Sequence, residues 1–407
     1  MAKGSKKVKS TIWALLMAPF LFALIGSVNG APPILHISEE AIQRRFEQGV
    51  ALMTNDPKEA VEIFKLLYQE TGQTRIELEF ARSLFLSGNL EDAKAQFIHI
   101  LGQPIPITVR DKVEYYLSEI QKRQSLKLVI GIYQDSNPGY VTSARTVSIF
   151  GQTLSYQPAQ NTNSATGLAV GLEAEREIVP QSGYFAQVNV NTATYQTEAF
   201  NKQDIDVSFT KRWQGYDYKD LKVGFDTMYY GGAILYNYPY VSTRFVFNEP
   251  NQDYYGFMIK GGTLNYPLYT YLNGSQTQGN IFYNHNLTRN LTAYFEVGAD
   301  TTPATQPAYS SHGFYGTIGT QIAEDSTQLQ ANLKASVLQR NYWDSDPFWG
   351  QVRRDSGQIY FLSITKRDLY ILGLRPSIDF TYQTNNSTIP FFTYNKMFGG
   401  VFFKNVY

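Results

Sequence analysis

The chain contains no cysteine and only four histidines in 407 residues. Without cysteine it forms no disulfides and takes no lipid on a thiol. His36, His99, His285 and His312 are scattered, without the spacing of a metal site. Neither a G-x-x-x-x-G-K-[ST] phosphate loop nor a nucleophile elbow occurs, so no cofactor is expected. Past residue 30 there is no run of eighteen apolar residues, so no transmembrane helix is expected. A basic excess is missing too. Lys3, Lys6, Lys7 and Lys9 are the only charges in the first thirty residues; beyond them stand 31 basic and 35 acidic side chains, a formal charge of −4. That balance gives no electrostatic case for nucleic acid.

What is abundant is aromatic: 30 Tyr and 26 Phe. The front of the chain reads as an export signal. Four lysines precede an apolar stretch from Ile12 to Ile25, interrupted by Pro19, and Val28 and Gly30 suit cleavage before Ala31. The last ten residues, Phe398 to Tyr407, read as an aromatic-rich strand. An exported chain without apolar helices crosses a membrane only by closing a β-barrel, because every backbone amide must be paired inside lipid. A soluble β-rich periplasmic protein is the plain alternative.

Two periodicities divide the remainder. From Ile37 to Gln124 the pattern is helical, and Ala60, Phe64, Leu67 and Tyr68 recur 33 residues later as Ala93, Phe97, Ile100 and Leu101. Asn55-Asp56-Pro57 and Ser87-Gly88-Asn89 supply the turns, and Gly49 and Ala81 fall where neighbouring helices approach. The spacing resembles tetratricopeptide repeats, with a helix near 109–122 as the cap.

After Gln124 the period becomes two. Leu291, Ala293, Phe295, Val297 and Ala299 alternate with Thr292, Tyr294, Glu296, Gly298 and Asp300. Leu372, Leu374, Ile378 and Phe380 alternate with Gly373, Arg375, Ser377 and Asp379. About fourteen such runs are expected, the first over 126–136 and the last two over 369–383 and 393–407. The apolar stretch Val147 to Leu154 could add two. Short turns at 179–181, 215–217, 249–251, 287–290, 323–325 and 367–368 alternate with longer segments, as in bacterial barrels. By parity the lumen receives Lys222, Lys260, Lys334, Arg212 and Arg375 together with Asp206, Asp226, Glu173, Glu175, Glu296, Asp300 and Asp379. Such a mixture suits a neutral solute, a polypeptide or a lumen closed by its own ion pairs, rather than an anionic polymer. Ser310-Ser311-His312 is the one hint of hydrolytic chemistry. Adjacent strand residues point to opposite faces, so no enzyme is expected.

The fold class expected is therefore α+β: a signal peptide (1–30), a helical-repeat domain (31–124) in the periplasm and an outer-membrane β-barrel (125–407). At the start of the barrel stands Gly131-Ile132-Tyr133-Gln134-Asp135-Ser136-Asn137. A first strand with a glycine and then Asp-Ser-Asn opening a long outer loop, after a short repeat domain, resembles the surface lipoprotein assembly modulator (Slam) family. The final strand agrees, except that Asn405 interrupts its apolar alternation. The resemblance implies an outer-membrane translocator. Its client would be a surface lipoprotein or a small secreted haem-binding protein, encoded nearby and engaged by the repeat domain packed on Ala60, Phe64, Ala93 and Phe97. Barrel-assembly machinery and outer-membrane lipid are the other implied partners. The first and last strands form a candidate seam, with Gly399 and Gly400 either weakening its packing or giving curvature at barrel closure, and Val401, Phe403 and Tyr407 completing the closing strand and its C-terminal signal. The alternatives are an exopolysaccharide export porin or a general outer-membrane channel.

Overall fold

The computed structural model describes residues 38–149, 152–155, 164–179, 182–215, 217–249, 253–372 and 374–405. The expected signal peptide and Tyr407 lie outside the described residues, as do Pro180, Gln181, Tyr216, Pro250, Asn251 and Gly373.

Among the described residues five helices come first: α1 (Glu39–Asn55), α2 (Pro57–Thr71), α3 (Thr74–Leu86), α4 (Leu90–Leu101) and α5 (Ile107–Arg123). Local chemistry sets their ends. The Ser38 hydroxyl accepts the Ala41 N–H, Asp56 caps α2 ahead of Pro57, and Gly72 leaves α2 at a φ of 62°. Ala60, Phe64, Ala93 and Phe97 are fully buried, so the 33-residue repeat marks equivalent depths in successive helices. A Cβ on Gly49 would stand 2.8 Å from the Phe64 ring, the close approach its small size permits. Glu77, sealed inside α3, lies 2.5 Å from His99 Nδ1 and accepts the Gln103 side-chain amide at 2.8 Å, joining α3 to α4.

The rest is sheet. Its strands are β1 (Gln124–Asp135), β2 (Thr146–Ile149), β3 (Gln152–Ser155), β4 (Ala165–Val179), β5 (Tyr184–Tyr195), β6 (Lys202–Gln214), β7 (Tyr218–Tyr230), β8 (Ala233–Asn248), β9 (Tyr254–Leu264), β10 (Gly274–Thr288), β11 (Leu291–Thr302), β12 (Ser311–Glu324), β13 (Leu329–Ser345), β14 (Val352–Lys366), β15 (Arg375–Ser387) and β16 (Tyr394–Lys404). Among the described residues, β1 and β4 to β16 close an antiparallel barrel of fourteen strands. The stretch around Val147 to Leu154 is the separate hairpin β2–β3 inside the first long loop, so it adds nothing to the barrel.

Sequence parity and exposure agree around the wall. Ile132, Ile281 and Ile378 are 64%, 63% and 62% exposed, and Phe209, Val297 and Val337 stand outward with them. An apolar surface of this extent is untenable in water and requires lipid. Inward positions are mostly glycine, polar, charged or aromatic, with a few aliphatic exceptions such as Met258 and Leu264.

One expected strand differs. The run over 369–383 begins only at Arg375, and the preceding turn is closed by a bridge between Ile371 and Leu374. Leu372 has a φ of 53° and is 98% exposed, so apolar spacing there is not strand spacing. Pro376, which lacks an N–H donor, sits where the ladder is only beginning.

Even strand number returns both barrel ends to the side bearing the helices, the near end. Four of the far-end loops share a device. One-turn helices at Glu198–Phe200, Thr270–Leu272, Pro307–Tyr309 and Pro390–Phe392 are followed by Asn201, Asn273, Ser310 and Thr393. These four side-chain oxygens accept the N–H of Tyr195, Tyr266, Ala304 and Ser387 at 2.7, 2.6, 2.8 and 3.0 Å, pinning each loop to its own strand end.

Candidate functional site

The first and last barrel strands meet in seven register rows, from Val129 opposite Lys404 to Asp135 opposite Phe398. The other barrel ladders among the described residues run nine to fourteen rows. Among the described residues, which end at Asn405, this closing ladder is the shortest. It is fastened at both tips by side chains.

At the far tip the Asp-Ser-Asn segment acts as one clasp. Asp135 is fully buried; its Oδ1 accepts the Asn137 N–H at 2.9 Å, and its Oδ2 accepts from the Tyr195 hydroxyl at 2.7 Å and from Lys396 Nζ at 2.8 Å. The Ser136 N–H donates to the Met397 carbonyl, and the Ser136 hydroxyl oxygen accepts the Met397 N–H at 2.7 Å. Asn137 accepts the Val141 N–H and donates to the carbonyls of Val141 and Asn395. The segment is thus an Asx-type turn whose outer faces grip β16.

The loop that follows reaches to β6 on one side and β16 on the other. Tyr140, at a φ of 53°, lies between Lys202 of β6 and Lys396 of β16, with the ammonium groups 4.3 and 4.2 Å from its ring centre. Both contacts are within cation–π range.

At the near tip Asn405 does what its break in the apolar pattern disguised. Its side-chain oxygen accepts the Leu128 N–H at 2.5 Å, its amide donates to the Leu126 carbonyl, and its own N–H donates to the Leu128 carbonyl.

Between the tips the inner face is glycine against aromatic. Phe402 lies over Gly131, where a Cβ would come within 2.2 Å of the ring, and Tyr133 lies over Gly167 of β4, at 2.4 Å. Gly400 is equally confined: a Cβ there would stand 2.3 Å from the Ile132 carbonyl oxygen. The glycine at 400 therefore permits a close approach of the two strands. Gly399 faces Gln134, Val401 pairs with Ile132, and Phe403 with Ile130. All the expected seam residues but Tyr407 meet here. Ala60, Phe64, Ala93 and Phe97 belong instead to the helical core.

The strand β1 has a second attachment. α5 ends at Arg123 and β1 starts at Gln124, with no linker. Arg212 of β6 holds the junction: it donates to Glu175 at 2.8 Å, to the Tyr218 hydroxyl at 2.9 Å and to the Lys122 carbonyl at 3.3 Å, with its guanidinium 4.0 Å from the Phe185 ring centre. Beside it a cavity of about 350 Å³ is lined by Gln121 of α5 and by Lys127, Glu173, Lys222 and Arg244 of the wall.

Some of the lumen charges pair, and others, such as Lys222 on Gln187 and Glu296 on Tyr294 and Tyr315, take neutral partners. Lys127 meets Glu173, Arg340 meets Asp300, and Lys404 meets Asp379, at 2.8, 2.9 and 2.6 Å. Ser311 and His312 part company: Ser311 is buried and its hydroxyl accepts from Arg340, whereas His312 is exposed on the other face.

Lys396 and Tyr195 are participants that sequence reasoning missed, and Arg212 was assigned only as a lumen charge. Asn405 left a signal, as the misfit in its strand.

No family model matches the chain, and no curated protein matches it. Solved structures do resemble it. The DcaP outer-membrane channel of Acinetobacter baumannii aligns at a TM-score of 0.42 and 5% identity, covering 70% of this chain and 97% of that one. An anion-selective porin from Comamonas acidovorans aligns at 0.37 and 6%, covering 70% and 99%. OprB of Pseudomonas putida aligns at 0.37 and 6%, covering 72% and 97%. Similarity at this level carries no argument about function.

Proposed function

We propose that this chain is an outer-membrane translocator that moves a specific protein client from the periplasm to the cell surface. The client is a surface lipoprotein or a small secreted haem-binding protein, and the helical segment engages it on the periplasmic side. The observation that carries this reading is the direct run of α5 into β1, the strand whose other edge has the shortest ladder. Force applied to the helices by a bound client acts on the seam strand itself. A passive channel has no use for such a lever. The likeness of the helices to tetratricopeptide repeats, which stack into concave binding surfaces, and the resemblance to the Slam family support the same conclusion. A lumen of mixed charges suits a polypeptide better than an anionic polysaccharide.

The test uses the absence of native cysteine. Ile132→Cys with Val401→Cys places two thiols on register partners across the seam. Co-expressed in a heterologous host with the product of the neighbouring gene, the unmodified chain should render that product sensitive to protease at the cell surface. Oxidation of the double variant should abolish this exposure, and reduction should restore it. Full exposure with the oxidised seam would exclude seam opening. Exposure in cells lacking the chain altogether would overturn the translocator reading.

A further inference from the structure

Three neighbouring strands carry two hollows on their outward face, one above the other. Toward the far end the register rows Asn341–Arg354 and Gln339–Ser356–Asn386 are polar, and they border a cavity of about 430 Å³. Six residues nearer the helices along each strand, the rows Ala335–Tyr360–Tyr382 and Leu333–Leu362–Phe380 are apolar. They border a second cavity, of about 460 Å³, whose walls include Leu333, Tyr360 and Phe380 and which extends sideways to Ile318 of β12 and Phe295 of β11. Six strand residues span about 20 Å, or roughly 15 Å along a barrel axis once strand tilt is included. One leaflet of a bilayer has an apolar depth of about 15 Å.

The upper hollow is positively biased. Arg354 forms no ion pair among the described residues, and the adjacent Asp355 is already held by Arg353 at 2.6 Å. A guanidinium among amides and a hydroxyl suits a phosphate carried on a sugar. An apolar trough one leaflet deep beneath it suits the attached acyl chain.

We propose that the two hollows form a single binding site for a phosphorylated glycolipid of the outer leaflet. The phosphate sits on Arg354, the sugar hydroxyls meet Gln339, Asn341 and Asn386, and an acyl chain lies against Leu333, Tyr360 and Phe380. The orientation rests on the reading above, in which the far end faces the cell exterior. The site lies on β13 to β15, and β15 pairs with the seam strand β16. A lipid held there fixes the wall beside the moving ladder.

The experiment is native mass spectrometry of the full chain in detergent, titrated with a short-core phosphorylated lipopolysaccharide or with phosphatidylglycerol. It involves no client and no export, so its outcome is independent of the translocator test. One lipopolysaccharide should be retained. Arg354→Gln should weaken retention about tenfold, the loss expected for one charge-assisted contact. Ala335→Trp, which fills the lower hollow from the lipid side, should weaken it comparably. Both variants should keep the compact gel mobility of a folded barrel. Equal retention of phosphatidylglycerol, or retention unaffected by either variant, would overturn the proposal.

Discussion

Lys396 Nζ stands 2.8 Å from Asp135 Oδ2 and joins the last barrel strand to the first, with the two side chains 10% and 0% exposed. A charge pair so enclosed adds little over a well-packed apolar pair, but removing one partner strands the other. Asp135→Ala should therefore cost about 3–5 kcal/mol of barrel stability. Asp135→Leu combined with Lys396→Met should recover only part of it, because the Asn137 N–H and the Tyr195 hydroxyl still lose their acceptor. The heating temperature at which the compact gel band is lost provides the measure. Single and double variants that melt alike would remove the pair from the clasp.

Asn405 predicts an effect at the opposite tip. Its side chain satisfies both Leu128 N–H and Leu126 C=O. Asn405→Leu leaves those groups to water and shortens the effective seam. Amide hydrogen exchange should speed up over 126–130 while the β9–β10 ladder stays unchanged. The expected local loss is about 1–3 kcal/mol, the penalty for unmade hydrogen bonds. Uniform protection along β1 in the variant would show that the backbone ladder alone holds the tip.

Gly131 makes a steric prediction. The Phe402 ring occupies the space a Cβ would need, so Gly131→Ala must displace the ring or the strand, at about 1–3 kcal/mol. Phe402→Leu alone opens a gap. The two changes together should fold better than Gly131→Ala alone, read as the fraction of compact barrel after refolding into detergent. A double variant no better than the single one would mean that the ring is free to move aside.

These residues also mark where sequence reasoning stops. The fourteen strands are legible because lipid on one side and polar lumen on the other force alternation along every strand. The 33-residue echo of Ala60 and Phe64 is legible because buried helix faces repeat residue size. Asp135-Ser136-Asn137 reads as a turn from its composition alone. Its grip on Asn395 and Met397 does not, because those partners lie some 260 positions away and only barrel closure brings them near. Leu372 fails for the opposite reason: a turn borrowed apolar residues at strand spacing. Arg212 looked like one more lumen charge. Its four partners come from three separate strands and a helix end, a convergence that no local pattern encodes.

That convergence makes Arg212 the test of whether the helices are mechanically tied to the barrel. Glu175, Tyr218, the Phe185 ring and the Lys122 carbonyl all rest on its guanidinium. Arg212→Ala removes the donor to the last turn of α5 and leaves Glu175, 13% exposed, without its cation. Because β1 continues from α5 directly, the loosened segment is Gln121 to Gln124, which contains the trypsin sites Lys122 and Arg123. Limited trypsin digestion of the folded chain should cut there several-fold faster in Arg212→Ala, while the barrel strands stay resistant. Arg212→Lys keeps the charge but not the fork of donors, and should fall between the two. If all three proteins are cut at the same rate, the junction is held by chain continuity alone, and a client pulling on the helices would act on β1 without Arg212.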